Sequence, residues 1–130
     1  MKIIQKAVIN KGNKFLVVLR SPDSLHFPSH WDFPGGKLEQ GEDPFSGIER
    51  EVLEETNLKI KPLGVIGTYT MKLDVPYKVV SHRFVVYNVR VLSGKVRLSK
   101  EHTKFMWATK TNLLKLKIEP YMKRYFKDHL

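Results

Sequence analysis

GKLEQGEDPFSGIEREVLEETNL, residues 36–58, decides how the rest of the chain is read. It holds a turn, a helix start and a helix that carries carboxylates on one face. Asp43 followed by Pro44 marks the start, because a carboxylate caps the first free backbone N–H groups and proline's fixed φ suits the first helical position. The spacing predicts a helix from about Pro44 to about Asn57. At about 100° per residue, Phe45, Ile48 and Val52 form the buried stripe, while Glu51, Glu54 and Glu55 gather on a neighbouring face. Like charges at i,i+4 cost roughly 0.2–0.5 kcal/mol per pair on an exposed helix, so the three acids oppose folding unless cations answer them. Arg50 reaches Glu54 by its spacing, yet one arginine cannot neutralise three glutamates.

A positive ligand is therefore expected at this face. Gly47 costs the helix roughly 1 kcal/mol relative to alanine and leaves room for a ligand or a backbone. Pro34, Gly35 and Gly36 make a turn whose bare backbone offers carbonyls or amides to the same spot. Hard oxygen donors, with no cysteine and no organised histidine pair, suit Mg²⁺ or Mn²⁺ rather than zinc. A Glu-rich helix is more often only a solvated face. Here the position argues otherwise: seven of the thirteen acids lie between Glu39 and Glu55, in a chain of net charge +10.

The stretch resembles the signature box of the Nudix hydrolases (MutT-like), whose pattern is Gly, five residues, Glu, seven residues, then Arg-Glu-apolar-any-Glu-Glu-any-Gly-apolar. Gly36, Glu42, Arg50, Glu51, Val52, Glu54, Glu55 and Leu58 fit it. Asn57 stands where the family usually has glycine. Asparagine tolerates the left-handed conformation that a helix C-terminus often needs, so the turn is expected to survive. Trp31-Asp32-Phe33-Pro34-Gly35 also resembles the family's usual approach to the box.

The resemblance implies an α/β/α sandwich, with a mixed β-sheet between helices, as a single domain over residues 1–130. It implies hydrolysis of a nucleoside diphosphate linked to another group, with Mg²⁺ and with Mn²⁺ as a possible substitute. Carried over residue by residue, Glu51, Glu54 and Glu55 ligate metal together with the Gly35 carbonyl. One glutamate serves as general base, Glu54 or Glu51 by preference and Glu101 as the outside candidate. Glu42 and Arg50 are a structural pair that holds the turn against the helix. Arg20, at the end of the second strand, is the candidate for a substrate phosphate, and Lys37 and Glu39 could both face substrate.

Composition sets the remaining bounds. A chain of 130 residues is long enough to bury a core, and it has no cysteine for disulfide or thiol chemistry. No run reaches membrane-spanning length, and the default compartment is the cytoplasm. The positive charge attracts polyanions, whether nucleotides, nucleic acids or anionic surfaces. Two further readings stay open: an RNA 5′-end pyrophosphohydrolase, and a non-catalytic nucleotide- or RNA-binding domain. The acidic triad weighs against the second, because a phosphate binder has no use for three uncompensated carboxylates. Nothing in the chain resembles an added RNA-binding module.

Outside the box, Ile3–Ile9 and Phe15–Leu19 read as strands joined by a turn at Asn10–Asn13, and Ser21–His30 as a loop. His26 and His30 are four apart without a helical pattern, which says little about metal. Trp31 and Phe33 are expected to pack under the turn. Val65–Leu73 and Val79–Leu92 read as strands, with Asp74–Pro76 between them and His82 and Arg83 as rim residues or phosphate contacts. Phe105-Met106-Trp107 is a further strand. The tail reads as a short helix, a break before Pro120 and an amphipathic helix. Near Glu119-Pro120 the chain resembles Nudix proteins that clear oxidised purine triphosphates. Those place an asparagine where this chain has Ile118, which cannot read a purine edge.

Overall fold

The computed structural model describes residues 1–75, 78–100 and 102–129. Its strands are β1 (Lys2–Val8), β2 (Asn10–Lys11), β3 (Lys14–Arg20), β4 (Trp31–Asp32), β5 (Gly35–Lys37), β6 (Lys59–Val75), β7 (Lys78–Ser93) and β8 (His102–Thr109), and its helices are α1 (Pro44–Thr56), α2 (Lys110–Leu113) and α3 (Pro120–Asp128). One sheet runs in the order β5-β1-β7-β6, with β1 and β7 parallel and the other pairings antiparallel. The second is built on β3, which pairs with β2, β4 and β8. A mixed sheet with helices on either side is the architecture the box implied.

Two apolar clusters explain the layering. Ala7, Ile9, Tyr87 and Val89 bury one face of the first sheet against Ile48 and Val52 of α1. Val8, Phe84 and Val86, on the opposite face, pack with Phe33 and with Tyr121, Met122, Tyr125 and Phe126 of α3. The alternation of neighbours such as Ala7 and Val8 between clusters is the period of two that a strand imposes.

Several elements depart from the sequence reading. The first hairpin turns more tightly than Asn10–Asn13, because Asn10 and Lys11 pair with Phe15 and Lys14. β6 starts at Lys59 rather than Val65; Pro62 and Gly64 broke the apolar pattern there, and the ladder absorbs them as register shifts. Phe45, expected in the buried stripe, is 45% exposed and meets Tyr87 edge-on. Gly47 leaves no room for a ligand: it is buried, and a side chain there would strike Gln5, Leu38 and Glu42. Pro76 and Tyr77, at the expected turn between β6 and β7, lie outside the described residues. The tail follows its reading, with α2 and α3 separated before Pro120.

Candidate active site

Local sequence sets the frame of the site. The Asp43 carboxylate accepts from the Ser46 amide at 3.0 Å, which starts α1, and Asn57 ends it in the left-handed region with φ of 65°. Ahead of α1, Glu42 is locked to Arg50 by hydrogen bonds of 2.7 and 3.0 Å. This pair fixes the turn against the helix and lowers the Glu42 pKa, first through the hydrogen bonds from Arg50 and then through the amide of Glu39. Arg50 also lies 3.1 Å from Glu51 and 3.3 Å from Glu54, so one guanidinium does hold several acids together.

Glu51, Glu54 and Glu55 border one depression together with Ser99 and Lys100. Their environments differ. Glu54 is largely exposed. Glu51 is mostly covered, and burial raises its pKa against the lowering effect of Arg50. Glu55 is buried and accepts a hydrogen bond from the Gly35 amide at 3.0 Å. Burial pushes its carboxyl up to about 8, although Lys6 and that amide both oppose the shift. Among the described residues no three carboxylate or imidazole groups close into a complete metal cage. The donor chemistry nevertheless fits Mg²⁺ or Mn²⁺, since such ions keep several waters and take only one or two carboxylates besides substrate phosphates.

The depression opens beside a cleft of about 650 Å³ lined by Glu51, Glu55, Gly35, Lys6, Arg20 and Lys37 among others. Arg20 donates through Nε to the His26 carbonyl at 3.0 Å and sets Nη1 3.5 Å from Asp32, which aims its planar group along the wall. Lys37 borders the cleft and is exposed. Glu39 sits elsewhere, 70% exposed, with its carboxylate 3.7 Å from Arg50. Glu101 lies outside the described residues. His26 borders the cleft and faces His82 edge-on, and burial lowers the pKa of both.

Behind the cleft lies a charged group that sequence reasoning missed. Lys6 Nζ is 2.6 Å from Asp32 Oδ2, both buried, and the Tyr121 hydroxyl donates to the other Asp32 oxygen. Burial alone would raise the Asp32 pKa, but Lys6 and a hydrogen bond from Glu119 hold it at about 2. The Glu119 pKa is raised well above the usual carboxylate range, first by burial and then by Asp32, and its Oε2 has no hydrogen-bond partner. Burial would lower the Lys6 pKa, yet the Asp32 carboxylate 2.6 Å away outweighs it and raises that pKa above its ordinary value. A lysine inside the apolar run of β1 was the available signal. Ile118 packs into the core beside this group and presents no polar atom.

Comparison with known proteins agrees with this architecture. A family model described as "NUDIX domain" matches residues 6–129. The chain is 27% identical over 114 residues to a "MutT-like protein" of Streptomyces ambofaciens, covering 88% of this chain and 67% of that protein. It is 29% identical over 101 residues to the asymmetrical bis(5′-nucleosyl)-tetraphosphatase of Mus musculus, covering 75% of this chain and 65% of the other. To the 8-oxo-dGTP diphosphatase of Escherichia coli (strain K12) it is 38% identical over 61 residues, 45% of this chain and 46% of that one. The chain thus spans about two thirds of the first two relatives' length and under half of the third's. Among solved structures, the MutT protein of Methanosarcina mazei Go1 superposes with a TM-score of 0.83 at 28% identity, covering 98% of this chain and 91% of that one. A Nudix hydrolase of Nitrosomonas europaea shares the fold with a TM-score of 0.82 at 22% identity, covering 98% and 87%.

Proposed function

The chain belongs to the Nudix family of hydrolases, and we propose that it cleaves the pyrophosphate link of a nucleoside diphosphate derivative with a divalent cation held by Glu51, Glu54, Glu55 and the Gly35 carbonyl. The observation that carries this reading is the buried Glu55 carboxyl beside Glu51 and Glu54, at the edge of a cleft that is also lined by Lys6, Arg20, Lys37 and Lys100, with Asp23 as a further acid. When bound, Mg²⁺ or Mn²⁺ supplies charge neutralisation at the phosphoryl oxygens and acidifies water.

The chain's own residues do the rest. Arg20 and Lys37 hold the substrate's phosphates, Arg20 in an orientation fixed by His26 and Asp32. Lys6 adds a buried positive charge behind Gly35 and, being tied to Asp32, cannot swing out to replace the cation. Glu51 or Glu54 accepts the proton of the attacking water, with Glu101 as the alternative base. Glu39, at its exposed place, supports Arg50 and serves the turn more directly than the substrate.

A panel of nucleoside triphosphates, nucleotide sugars, ADP-ribose and dinucleoside polyphosphates, each assayed with Mg²⁺ and with chelator, tests this reading. Metal-dependent release of a nucleotide and a phosphate product from at least one of them is expected. Failure across the whole panel would refute it.

A further inference from the structure

A second concavity, of about 500 Å³, shares none of the described lining residues of the catalytic cleft. Its apolar floor includes Val91 and Val96, its aromatic wall is Phe105 and Trp107 on β8, and its charged rim is Lys11 and Lys95. Phe105 is 42% exposed, and Lys11 Nζ stands 5.9 Å from the centre of the Trp107 ring. No carboxylate is among the described lining residues. The sequence explains why. Every segment that lines the groove comes from a tract without acids: residues 1–22, 56–73, 75–100 and 102–118 contain no Asp or Glu.

No carboxylate among the described lining residues answers the positive charge here, and Lys11 rests over the face of the Trp107 ring. Lys11 lies directly opposite Lys14 in the β2–β3 ladder, and like charges so placed destabilise a strand pair. The wall that carries Lys95 is also held in place. The Asn57 side chain donates to the Lys95 carbonyl at 3.1 Å, and the Arg97 amide to the Thr56 carbonyl at 2.8 Å. Gly94, at φ of 110°, passes so close to the Asn57 carbonyl that no side chain would fit. A pre-formed wall of this kind lowers the ordering cost of binding.

We propose that this groove binds single-stranded nucleic acid, with bases against Phe105 and Trp107 and phosphates on Lys11, Lys14 and Lys95. Two flat rings within reach of lysines are the combination that holds unpaired bases and tracks their backbone. A second copy of the chain fits poorly, because a self-complementary contact would set the same lysines against one another. An acidic peptide would satisfy the lysines and leave the rings without a stacking partner. The assignment is independent of the cleavage reaction, since the groove and the cleft share no described residue.

Fluorescence anisotropy with ten-nucleotide RNA and DNA single strands bearing 5′-hydroxyl ends tests it, in chelator so that nothing is hydrolysed. Lys11→Gln/Lys95→Gln is expected to weaken binding and to reduce the magnitude of the slope of log K against log salt by about 1.4, at about 0.7 per phosphate contact. Phe105→Ala is expected to weaken binding about fivefold or more with the salt slope unchanged, the signature of lost stacking. Lys11→Gln/Lys95→Gln relieves the Lys11–Lys14 repulsion and should melt no lower than the parent, Phe105→Ala should remain folded at the assay temperature, and both should keep the parent's rate on small nucleotides, so failure of the catalytic reading would appear separately. Equal RNA and DNA affinity would place recognition on bases and phosphates, and a preference for RNA would add the 2′-hydroxyl; either result supports the groove. Binding that survives both variants overturns the proposal. Equally tight binding of poly-glutamate, or a concentration-dependent dimer dispersed by Phe105→Ala, would overturn it as well.

Discussion

The Gly35 amide donates to the Glu55 carboxylate at 3.0 Å and so joins the glycine turn to the last turn of α1. The bond stabilises the charged form of Glu55, yet burial outweighs it and the carboxyl sits at about 8. Ionised Glu55 therefore carries a cost at this position, which the cation of the proposed mechanism would relieve.

That cost has a definite pH dependence. A folded-state pKa raised from 4.5 to about 8 means that the folded protein binds more protons than the unfolded chain between these values. Metal-free stability should thus fall as pH rises through this window and level off above it. Glu55→Gln should match the parent near pH 4.5 and exceed it by at least ~1 kcal/mol at pH 9, since each tenfold change in proton affinity is worth about 1.4 kcal/mol. Melting curves of both proteins in chelator check this. A variant less stable than the parent at pH 9 would mean that the Glu55 carboxylate is a satisfied structural contact.

Several millimolar Mg²⁺ should raise the melting temperature of the parent in proportion to RT ln(1+[L]/Kd), and that of Glu55→Gln far less. Turnover should vanish in chelator and fall together with metal affinity in the variant. Undiminished activity in chelator would sink the metal mechanism.

The Lys6–Asp32–Glu119 group makes a prediction about coupling. Asp32→Asn should cost less than the roughly 3–5 kcal/mol typical of a broken buried ion pair, because Glu119 can give up its proton and become the counter-ion of Lys6. Asp32→Asn/Glu119→Gln removes that reserve and should cost the full amount, so the two changes are not additive. Denaturant melts of the two single variants and the double variant decide it; strict additivity would show that Glu119 does not stand in.

By its resemblance to Nudix proteins that clear oxidised purine triphosphates, the chain has Ile118 where those carry an asparagine, and Ile118 is buried and without a polar atom. A site that lacks a paired donor and acceptor for a purine edge discriminates weakly, so 8-oxo-dGTP should be preferred to dGTP by less than about a hundredfold. Steady-state kcat/KM for the two nucleotides checks this, and a larger ratio would assign the readout to another group, with Glu119 the first to test.

The Glu42–Arg50 pair, eight residues apart, came only from the resemblance to the Nudix box, whereas the helix start at Asp43-Pro44 and the left-handed end at Asn57 were legible in the residues themselves. Each of these two ends depends on residues within one turn or a short loop, where backbone geometry fixes what a side chain can reach. Local spacing also placed Glu51, Glu54 and Glu55 together. Whether each acid is exposed, half covered or buried was not legible, because that depends on what the first sheet brings to the helix. Phe45 and Gly47 show the same limit, one turned outward and the other closed off by Gln5 and Leu38. The charged group behind the cleft could only come from the fold. Lys6, Asp32, Glu119 and Tyr121 lie on separate segments, and a buried lysine is tolerated only where distant acids converge on it. The sequence by itself determined the box and its carboxylates; tertiary packing decided their protonation and their cationic surroundings, because desolvation and charge pairing depend on neighbours far away along the chain.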